Sequence, residues 1–536
     1  MSTSSIRAGL AADPAAGAGN VLGALIEHGA PLDVPTLTFD TEVDGHPAWR
    51  SLPLGVLHER VRAREAWLHS RGVRPRDPVA VYATNAADIV LGYLALARLG
   101  AIPALVNGNL DGATAAAYIG KLDATAVLAD RELRERLAGH VPDLARFDTE
   151  AVGSGRPQDA PPAYRHHPTD PVAITHSSGT TGPPKPITAT HDSQFAVVRH
   201  RLRRPRAQGS ERSLSALPVP HNSTLSILNF SLGSLSELLL LSRQDGQYTL
   251  DAIRRWRPGT VLGFSVTWAE LARMDIPAED LESVTLWWNV GDCAHEAHIR
   301  KLIAFGRRRI PTAKGLRWTD GSVFSDNFGS SELGQPVLSI RHHHGTQRYG
   351  RCVGRAEPFA EAVVLSPAGE LLPPGEPGLL GVRSPSMSPG YWNDSTSTYR
   401  SRLAGWLLTG DVVYEDEDGY FFHLDRFTDA VSTPDGTGLY TALIEERVLA
   451  ACPDVLDCTA VASAHGDRPV VDVLLQLAAE ANQDVDRTAE VRAALDHGVA
   501  SAVRQVVVVD DAEIPFGATG KVRKRILRER MAGTVS

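Results

Sequence analysis

ITHSSGTTGPPKPI, residues 174–187, is the densest chemical feature of this sequence. It places hydroxyl side chains, two glycines and one lysine within a few positions. Glycine lets backbone N–H groups approach an anion closely, hydroxyls add neutral donors, and lysine adds a compact positive charge. The GxxxxGK[ST] spacing of a P-loop is absent, and a flexible Ser/Thr/Gly linker would have a similar composition. We take a phosphate-binding loop as the hypothesis that the rest of the chain must support.

Length, charge and cysteine content limit the class of protein. The 536 residues exceed what one hydrophobic core usually serves, so we expect two or more domains. The formal net charge of −9 argues against nucleic-acid binding, and no apolar run approaches the roughly 20 residues of a membrane span. Four cysteines without disulfide or zinc-site spacing favour reduced thiols and a cytoplasmic location. Residues 1–20 lack the pattern of a secretory signal and are predicted to form a flexible tail.

The order of predicted elements indicates an α/β fold. Between residues 55 and 130, strand-like runs such as PVAVYA (78–83) alternate with helical patterns, which favours a parallel sheet covered by helices. Beyond Gly350, short strands cut by proline and glycine predict a small β-barrel-like subdomain. We therefore expect a large N-terminal domain of layered α/β subdomains over residues 21–425. A small mobile α+β C-terminal domain, acting as a lid, is expected over residues 426–536.

Several motifs, spread along the chain in one order, resemble those of a known family. SSGTTGPPKP (177–186) resembles the SGTTGxPKG signature of the adenylate-forming enzymes: acyl- and aryl-CoA ligases, peptide-synthetase adenylation domains and luciferases. Further segments of that family are resembled by DNFGSSELG (326–334), GYWND (390–394), GWLLTGDVVYEDEDGYFFHLDR (405–426) and IPFGATGKVRKRIL (514–527). Motifs in the family's order over most of the chain are hard to produce by chance.

The resemblance implies an ATP site. Its phosphate loop would comprise Ser177, Ser178, Gly179, Thr180, Thr181, Gly182 and Lys185, with Thr180, Thr181 and Lys185 on the phosphates. Its adenine side would comprise Gly291, Asp292, Asn327, Phe328, Gly329 and Ser331, with the Phe328 ring against the base. Asp411 would bind the ribose hydroxyls, and Arg426 would reach the ribose or the phosphates.

The resemblance also implies the reacting groups. Glu332 matches a carboxylate that holds Mg²⁺, a ligand type that suits a hard cation. Lys521 matches a mobile lysine that binds the substrate carboxylate and the α-phosphate, and His221 lies where many members carry a histidine beside the substrate. The expected catalytic set is Lys521, Thr181, Lys185 and His221, and Glu332 is the expected metal ligand. Taken singly, a histidine or glutamate more often has an ordinary structural role, so the assignment depends on the whole set.

The expected reaction starts from ATP and a small, possibly aromatic, carboxylic acid. The carboxylate attacks the α-phosphorus, pyrophosphate leaves, and positioning and charge neutralisation supply most of the catalysis. A second nucleophile then takes the acyl group. Trp268, Trp287 and Trp288 are candidates to close the acid pocket, although we expect at least two of them to lie in the core.

The second nucleophile is the open question. Four features depart from the family pattern. They are Thr428 at the expected hinge, Pro186 directly after the lysine of the phosphate loop, and the segments VSTPDGTGLYTALIEE (431–446) and VGDCAHEAH (290–298). CoA is the commonest acceptor in the family and our leading interpretation. An amine, a carrier-protein thiol, or ATP-dependent activation of nitrite to make a diazo group are the alternatives. A catalytically silent nucleotide-binding protein is a third interpretation, against which the intact charged set counts.

Overall fold

A computed structural model of the protein describes residues 2–141, 144–177, 184–205, 211–312, 315–433, 438–465, 468–478, 480–517 and 521–533. The α-helices are α1 (Thr3–Ala12), α2 (Val21–Glu27), α3 (Leu54–Ser70), α4 (Ala86–Leu99), α5 (Gly112–Lys121), α6 (Arg131–Arg136), α7 (Thr149–Val152), α8 (Ser193–Leu202), α9 (Asn222–Ser234), α10 (Gly246–Trp256), α11 (Ser265–Arg273), α12 (Glu296–Ile303), α13 (Ser395–Arg400), α14 (Thr441–Ala451), α15 (Thr488–Ala493), α16 (His497–Ala502) and α17 (Lys524–Gly533).

The β-strands follow the same numbering by chain order. They are β1 (Pro35–Phe39), β2 (Ser51–Pro53), β3 (Pro78–Ala83), β4 (Ile102–Asn107), β5 (Ala126–Ala129), β6 (Ala145–Asp148), β7 (Pro171–His176), β8 (Pro186–Thr190), β9 (Arg212–Ser215), β10 (Glu237–Leu240), β11 (Thr260–Gly263), β12 (Leu286–Gly291), β13 (Arg307–Thr312), β14 (Gly315–Asp320), β15 (Val323–Phe328), β16 (Leu338–His342), β17 (Cys352–Ala356), β18 (Glu361–Leu365), β19 (Gly378–Arg383), β20 (Arg402–Leu403), β21 (Trp406–Glu415), β22 (Phe421–Arg426), β23 (Val431–Ser432), β24 (Gly438–Leu439), β25 (Val455–His465), β26 (Arg468–Leu477) and β27 (Val503–Val508).

Two large sheets and the helices between them form the bulk of the protein. A six-stranded sheet has the order β6-β5-β3-β4-β7-β8, and β3 pairs in parallel with both β4 and β5. A 14-stranded sheet runs from β18 to β2, and its parallel part contains β12, β11, β9 and β10. One buried cluster between the two sheets includes residues of α4, α8 and α9, and two further clusters cover the outer faces. The expected layered α/β fold is confirmed.

The strand β3 shows why a parallel sheet forms here. Val79 and Val81 pack into the cluster between the sheets, whereas Ala80 and Tyr82 pack into the cluster under α5 and α6. Because both faces are covered, the strand is apolar throughout rather than alternating. The next helix, α4, begins at an Asn85 side chain that accepts the Asp88 N–H, and it ends at Gly100, whose φ of +80° favours glycine.

The segment beyond Gly350 is rich in β-strands, as expected. Strands β17 to β22 are antiparallel to their neighbours, and β17 pairs with β16, so this segment continues the large sheet. The C-terminal part has its own three-stranded sheet, β25-β26-β27, with α14 to α17, which confirms the α+β module. Its apolar core is separate from those of the large sheets. The boundary between residues 425 and 426 stays a prediction.

The N-terminal segment is not the flexible tail that we expected over residues 1–20. Thr3–Ala12 forms a helix in which Ile6 and Leu10 are buried, and it packs on α8 and α9. The Ala18 N–H donates to the His191 carbonyl over 3.1 Å, which fixes the chain after the helix. The short apolar spacing of this helix, among many small residues, did not stand out from the sequence. Among the described residues, no helix is both long and apolar enough to cross a bilayer.

Candidate active site

Asp411 lies at the centre of a buried polar group on two neighbouring strands. It is directly opposite Arg426 in the β21–β22 register, and the Arg426 Nη1 donates to its Oδ1 over 2.9 Å. The His423 Nε2 lies 3.3 Å from the same oxygen. Burial works against ionisation of Asp411, but Arg426 and His423 outweigh it and lower the pKa of its carboxyl to about 2. Asp411 is therefore a fixed negative charge next to two residues, Arg426 and His423, that line a cavity.

The orientation of His423 follows from a second arginine. The buried Arg351 approaches the His423 Nδ1 over 2.7 Å, and a guanidinium can only donate. Nδ1 is therefore the acceptor, and the hydrogen on Nε2 points to Asp411. The Phe328 ring lies 5.1 Å from the His423 ring, centre to centre, so the aromatic predicted to face adenine adjoins the acid predicted to face ribose.

A buried polar network holds the loop that follows β12. The Asn289 Nδ2 donates to the Asp326 Oδ1 over 2.6 Å and to the Asp292 carbonyl over 2.7 Å, while its Oδ1 accepts the Trp268 Nε1–H over 2.8 Å. The second oxygen of Asp326 accepts the Ala294 N–H over 3.1 Å. Gly291, at the end of β12, has a φ of +92°, which lets the chain turn into this loop. The position of Asp292 is thus set by groups in the core.

Lys521 meets Asp292. The Lys521 Nζ lies 2.9 Å from the Asp292 Oδ2, which joins the C-terminal module to the loop after β12. Burial alone would raise the pKa of Asp292, but Lys521, His423 and Arg426 together hold it well below its usual range. The residue expected to act in the reaction and a residue of the predicted adenine side are therefore in direct contact.

A cavity of about 400 Å³ lies between the large domain and the C-terminal module. Phe264, Asp292, His423, Arg426 and Lys521 are among its lining residues. The structure therefore brings together, around one cavity, residues that are more than 250 positions apart in the sequence.

His221 lies next to this cavity at the start of α9. Its Nδ1 accepts the Ser223 N–H over 3.2 Å, and its ring packs edge-on against Phe264 at 5.0 Å. Burial, with contributions from the charge of Lys521 and from His176, lowers the pKa of His221 to about 3. His221 is therefore neutral at physiological pH, and its remaining hydrogen is on Nε2.

The predicted phosphate loop connects β7 and β8. Ser177 and Lys185 close its base, since the Ser177 N–H donates to the Lys185 carbonyl and the Lys185 N–H to the Ser177 hydroxyl, both over 3.1 Å. Lys185 is exposed, and its Nζ lies 5.3 Å from the centre of the Tyr391 ring. The other predicted loop residues, Ser178, Gly179, Thr180, Thr181 and Gly182, lie outside the described residues.

Tyr391 links this loop to Glu332. Its hydroxyl donates to the Glu332 Oε1 over 2.9 Å, and burial together with that carboxylate raises the pKa of the Tyr391 phenol. The Glu332 Oε2 has no protein partner in the part of the chain that the structure describes. No group of three or more His, Cys, Asp or Glu side chains among the described residues could hold a metal alone. One free carboxylate oxygen beside a phosphate loop does suit Mg²⁺, which is usually held by one or two carboxylates plus phosphates.

The remaining predicted residues surround Glu332 and Phe328. The Asn327 side-chain amide is already hydrogen-bonded within the protein, because its Nδ2 donates to the Asn289 carbonyl over 3.0 Å and to the Ser325 carbonyl over 2.8 Å. A Cβ added at Gly329 would lie 2.9 Å from the Pro336 Cα, so this position requires glycine for close backbone packing. Ser331 is buried in the turn that carries Glu332.

Several residues that complete the site were not singled out from the sequence. Tyr391 and His423 both lie inside motifs that marked the family resemblance, but the motifs did not indicate what these two residues contact. Arg351, Asn289 and Asp326 act by holding other side chains, and only the folded chain brings them together. Trp268 and Trp287 are fully buried, as expected for at least two of the three tryptophans.

Further contacts, among them two ion pairs, join the C-terminal module to the large domain. The His295 Nδ1 lies 2.6 Å from the Glu446 Oε2, and burial, which raises the pKa of Glu446, is outweighed by this contact, so that the pKa is lowered. The Arg273 guanidinium lies 2.7 Å from the Asp457 Oδ2. With the Lys521–Asp292 pair, these contacts fix the module against the cavity.

Comparison with known proteins adds three findings. The family model described as AMP-binding enzyme matches residues 37–392. The chain is 42% identical to 3-aminoavenalumate diazotase from Streptomyces sp, over 98% of each chain, and 27% identical to 3-amino-2-hydroxy-4-methoxybenzoate diazotase from Streptomyces cremeus, over 90% of this chain and 89% of that protein. Its fold is similar to that of O-succinylbenzoate coenzyme A synthetase (MenE) from Bacillus subtilis in complex with ATP and magnesium ion. That match has a TM-score of 0.78 at 19% identity, over 95% of this chain and 99% of that chain.

Proposed function

The chain belongs to the AMP-binding enzyme family, and from that premise we propose that it is an ATP-dependent diazotase. In this proposal it adenylates nitrite and transfers the nitroso group to the amine of an amino-substituted aromatic acid. The observation that carries the choice of reaction is the 42% sequence identity to the Streptomyces 3-aminoavenalumate diazotase, which extends over 98% of each chain. The leading interpretation from the sequence, an acyl-CoA ligase, shares the same first site and differs in what is adenylated.

The buried acid Asp411 and its cationic neighbour Arg426 support the nucleotide part of the proposal. Asp411 keeps its negative charge, and a carboxylate is an acceptor that suits a pair of ribose hydroxyls. Arg426 lies on its outer side, with part of the guanidinium exposed toward the cavity. Phe328 would stack on adenine, and Lys185 with Thr180 and Thr181 would hold the phosphates.

The carboxylate of Glu332 would hold Mg²⁺ with its free oxygen while Tyr391 holds the other. The ion would neutralise charge on the phosphate oxygens. The Tyr391 hydroxyl fixes the rotamer of Glu332, and its ring lies beside the Lys185 ammonium. Two charged side chains, Glu332 and Lys185, therefore contact one tyrosine.

The chemistry balances without an external oxidant or reductant. A nitrite oxygen attacks the α-phosphorus, a new P–O bond forms, and the bond to the bridging oxygen breaks so that pyrophosphate leaves. The amine nitrogen then attacks the nitroso nitrogen, the N–O bond breaks, and AMP leaves with that oxygen as the amine loses a proton. The N-nitroso group takes up a proton and loses its oxygen as water, leaving the diazonium. One amine, one nitrite and one ATP thus give one diazonium, AMP, pyrophosphate and water.

Lys521 is the residue best placed to assist the first step. Its ammonium is held at the cavity by Asp292 and can turn toward an anion that binds there. Charge that spreads over the α-phosphate and the attacking oxygen would be stabilised by this cation, with little reorganisation because the lysine is already in place. His221, which is neutral, offers an Nε2–H rather than a second positive charge.

An acyl-CoA ligase is the second candidate. It is favoured by the same residues, because Lys521 and the ATP site would serve a carboxylate as well as nitrite. It would also explain the similar fold of the Bacillus subtilis synthetase. In that case the substrate carboxylate, rather than nitrite, would lie at Lys521.

One experiment separates the two candidates. Pyrophosphate release is measured with MgATP and either nitrite or 3-aminobenzoate alone, and then with both, with and without CoA. We expect nitrite-dependent release, and ¹⁵N from labelled nitrite in a diazonium trapped by an electron-rich phenol. Release with the acid alone, and a thioester only when CoA is present, would establish the ligase and reject the diazotase.

A further inference from the structure

Arg201, in the last turn of α8, has an unusual environment. Its guanidinium carbon lies 5.2 Å from the centre of the Trp288 ring and 5.9 Å from the centre of the Phe230 ring. Trp288 comes from β12 and Phe230 from α9, so two aromatic faces from different elements hold one guanidinium. Arrangements of this kind favour a cation and also restrict its orientation.

This guanidinium lacks an anionic partner in the described part of the chain. No carboxylate oxygen lies within 4.0 Å of it and it makes no hydrogen bond there, whereas Arg199, one half-turn earlier, is paired with Asp192 at 2.9 Å. Arg212 also packs on a tryptophan, but it has a carboxylate partner, Glu237, at 3.1 Å. Arg201 is therefore a partly buried cation without an ion-pair or hydrogen-bond partner among the residues that the structure describes.

The charges around Arg201 are mostly of the same sign. Burial lowers the pKa of Arg201 to about 10, Glu357 acts in the opposite direction, and Arg204 and Arg341 lower the pKa further. Glu357 is already engaged, because the Ser339 hydroxyl donates to it over 2.6 Å. An anion placed against Arg201 would therefore relieve both desolvation and like-charge repulsion.

A continuous group of apolar side chains lies between Arg201 and the reacting end of the site. Trp288 packs against a buried cluster formed by Leu217, Leu262, Phe264 and Val290. Phe264 in turn touches the His221 ring and lines the cavity with Lys521. A cation thus lies at each end of this apolar region, with Lys521 of the C-terminal module at one end and Arg201 of the large domain at the other.

We propose that Arg201 binds the carboxylate of the aromatic amine, so that the amine points toward the nucleotide. This inference rests on the proposed diazotase function. Both Streptomyces relatives are named for amino-substituted carboxylates. In a diazotase that carboxylate does not react and keeps its charge throughout, so it needs a counter-ion away from Lys521. In an acyl-CoA ligase the reacting carboxylate would be at Lys521, so the substrate would bind in the reverse orientation, with its carboxylate toward the nucleotide.

The test compares each aromatic amine with its decarboxylated counterpart. Diazotisation is measured for 3-aminobenzoate against aniline and for 3-aminocinnamate against 3-aminostyrene, with saturating nitrite and MgATP. We expect the parent enzyme to prefer the carboxylates and Arg201→Met to lose that preference by about 10- to 100-fold in kcat/KM, mainly through KM, as for a lost charged hydrogen bond. Arg201→Lys should keep part of the preference. The matched control is Arg203→Met, on the same helix and exposed, which should match the parent.

Nitrite-dependent pyrophosphate release without amine serves as the independent readout. It should be unchanged in both Arg201 variants, which also shows that they fold. If the parent releases no pyrophosphate with nitrite, the diazotase function fails and this inference fails with it. If the parent diazotises these amines but has no preference for the carboxylates, or if Arg201→Met keeps the full preference, the role of Arg201 alone is rejected.

Discussion

Replacing Lys521 by alanine tests the assignment that most of the proposed chemistry depends on. The Lys521 ammonium contacts Asp292 at 2.9 Å, and both side chains are about one-third exposed. An ion pair of that exposure contributes at most about 1 kcal/mol to stability. The Asp411 and Phe328 positions do not depend on it. We therefore expect Lys521→Ala to fold and to bind ATP with an affinity within a few-fold of the parent.

The effect on the reaction should be much larger. The lysine is one of the cations that the C-terminal module brings to the cavity and the one that contacts Asp292, and its charge would act on the oxygens that gain charge as pyrophosphate leaves. Removal of one well-placed group that stabilises developing charge costs about 10²- to 10³-fold in rate. We expect this loss in the rate of pyrophosphate release at saturating ATP and nitrite, with little change in ATP binding.

Two further variants make the result specific. Asp292→Asn removes the partner but keeps the ammonium, so its rate of pyrophosphate release should stay within about 10-fold of the parent. Lys301→Ala, an exposed lysine on α12, is the control for loss of a surface charge. ATP affinity is measured by calorimetry and pyrophosphate by a coupled assay in rapid mixing. A Lys521→Ala enzyme that releases pyrophosphate at the parent rate would refute the assignment, whichever anion is adenylated.

Three other variants have defined outcomes. Tyr391→Phe leaves Glu332 without its hydroxyl partner and should weaken MgATP binding by about 10-fold; an unchanged Mg²⁺ titration would count against the metal role. Trp268→Phe leaves the buried Asn289 Oδ1 without a donor and should lower the free energy of unfolding in urea by about 1–3 kcal/mol, and no change would mean that the amide finds another partner. The pKa of His191 is lowered to about 4 by burial and by His166. Below about pH 6.5 the unfolded chain therefore binds a proton at His191 that the folded protein does not bind. Stability should therefore fall between pH 6.5 and about 4 by up to about 1.4 kcal/mol per pH unit for this group. His191→Gln should flatten that slope, and an equal slope in the variant would exclude His191 as a source.

The sequence predicted the fold well where residue pattern and burial coincide. PVAVYA is β3 without any change of bounds, and the glycine after α4 ends the helix in the left-handed conformation. In both cases the signal is local, because a strand buried on both faces must be apolar and a left-handed position favours glycine. The helix near the N-terminus was missed because its burial depends on α8 and α9, which are far away in the sequence.

The candidate site could be predicted from the sequence where its residues lie in the motifs that resemble those of the family. Asp411 and Arg426 are in direct contact and Phe328 packs against the neighbouring His423, while their roles with a nucleotide stay predictions. Contacts between distant segments could not be read from one sequence. The hydrogen on His423, for example, is placed by Arg351, which is more than 70 positions away and belongs to no motif.

The departures from the family pattern gain a physical meaning from these contacts. In VGDCAHEAH (290–298), Asp292 and His295 are the unusual residues, and both contact the C-terminal module, through Lys521 and Glu446. A module held by two ionisable pairs at one loop should be sensitive to any anion that enters the cavity, since an anion would compete with Asp292 for the lysine. Nitrite would be that anion under the proposed diazotase function, and a substrate carboxylate would be that anion under the ligase alternative. Under the proposed function, the loop that made the acceptor uncertain in the sequence therefore holds the lysine that nitrite must reach, while the aromatic substrate is held from its other end by Arg201.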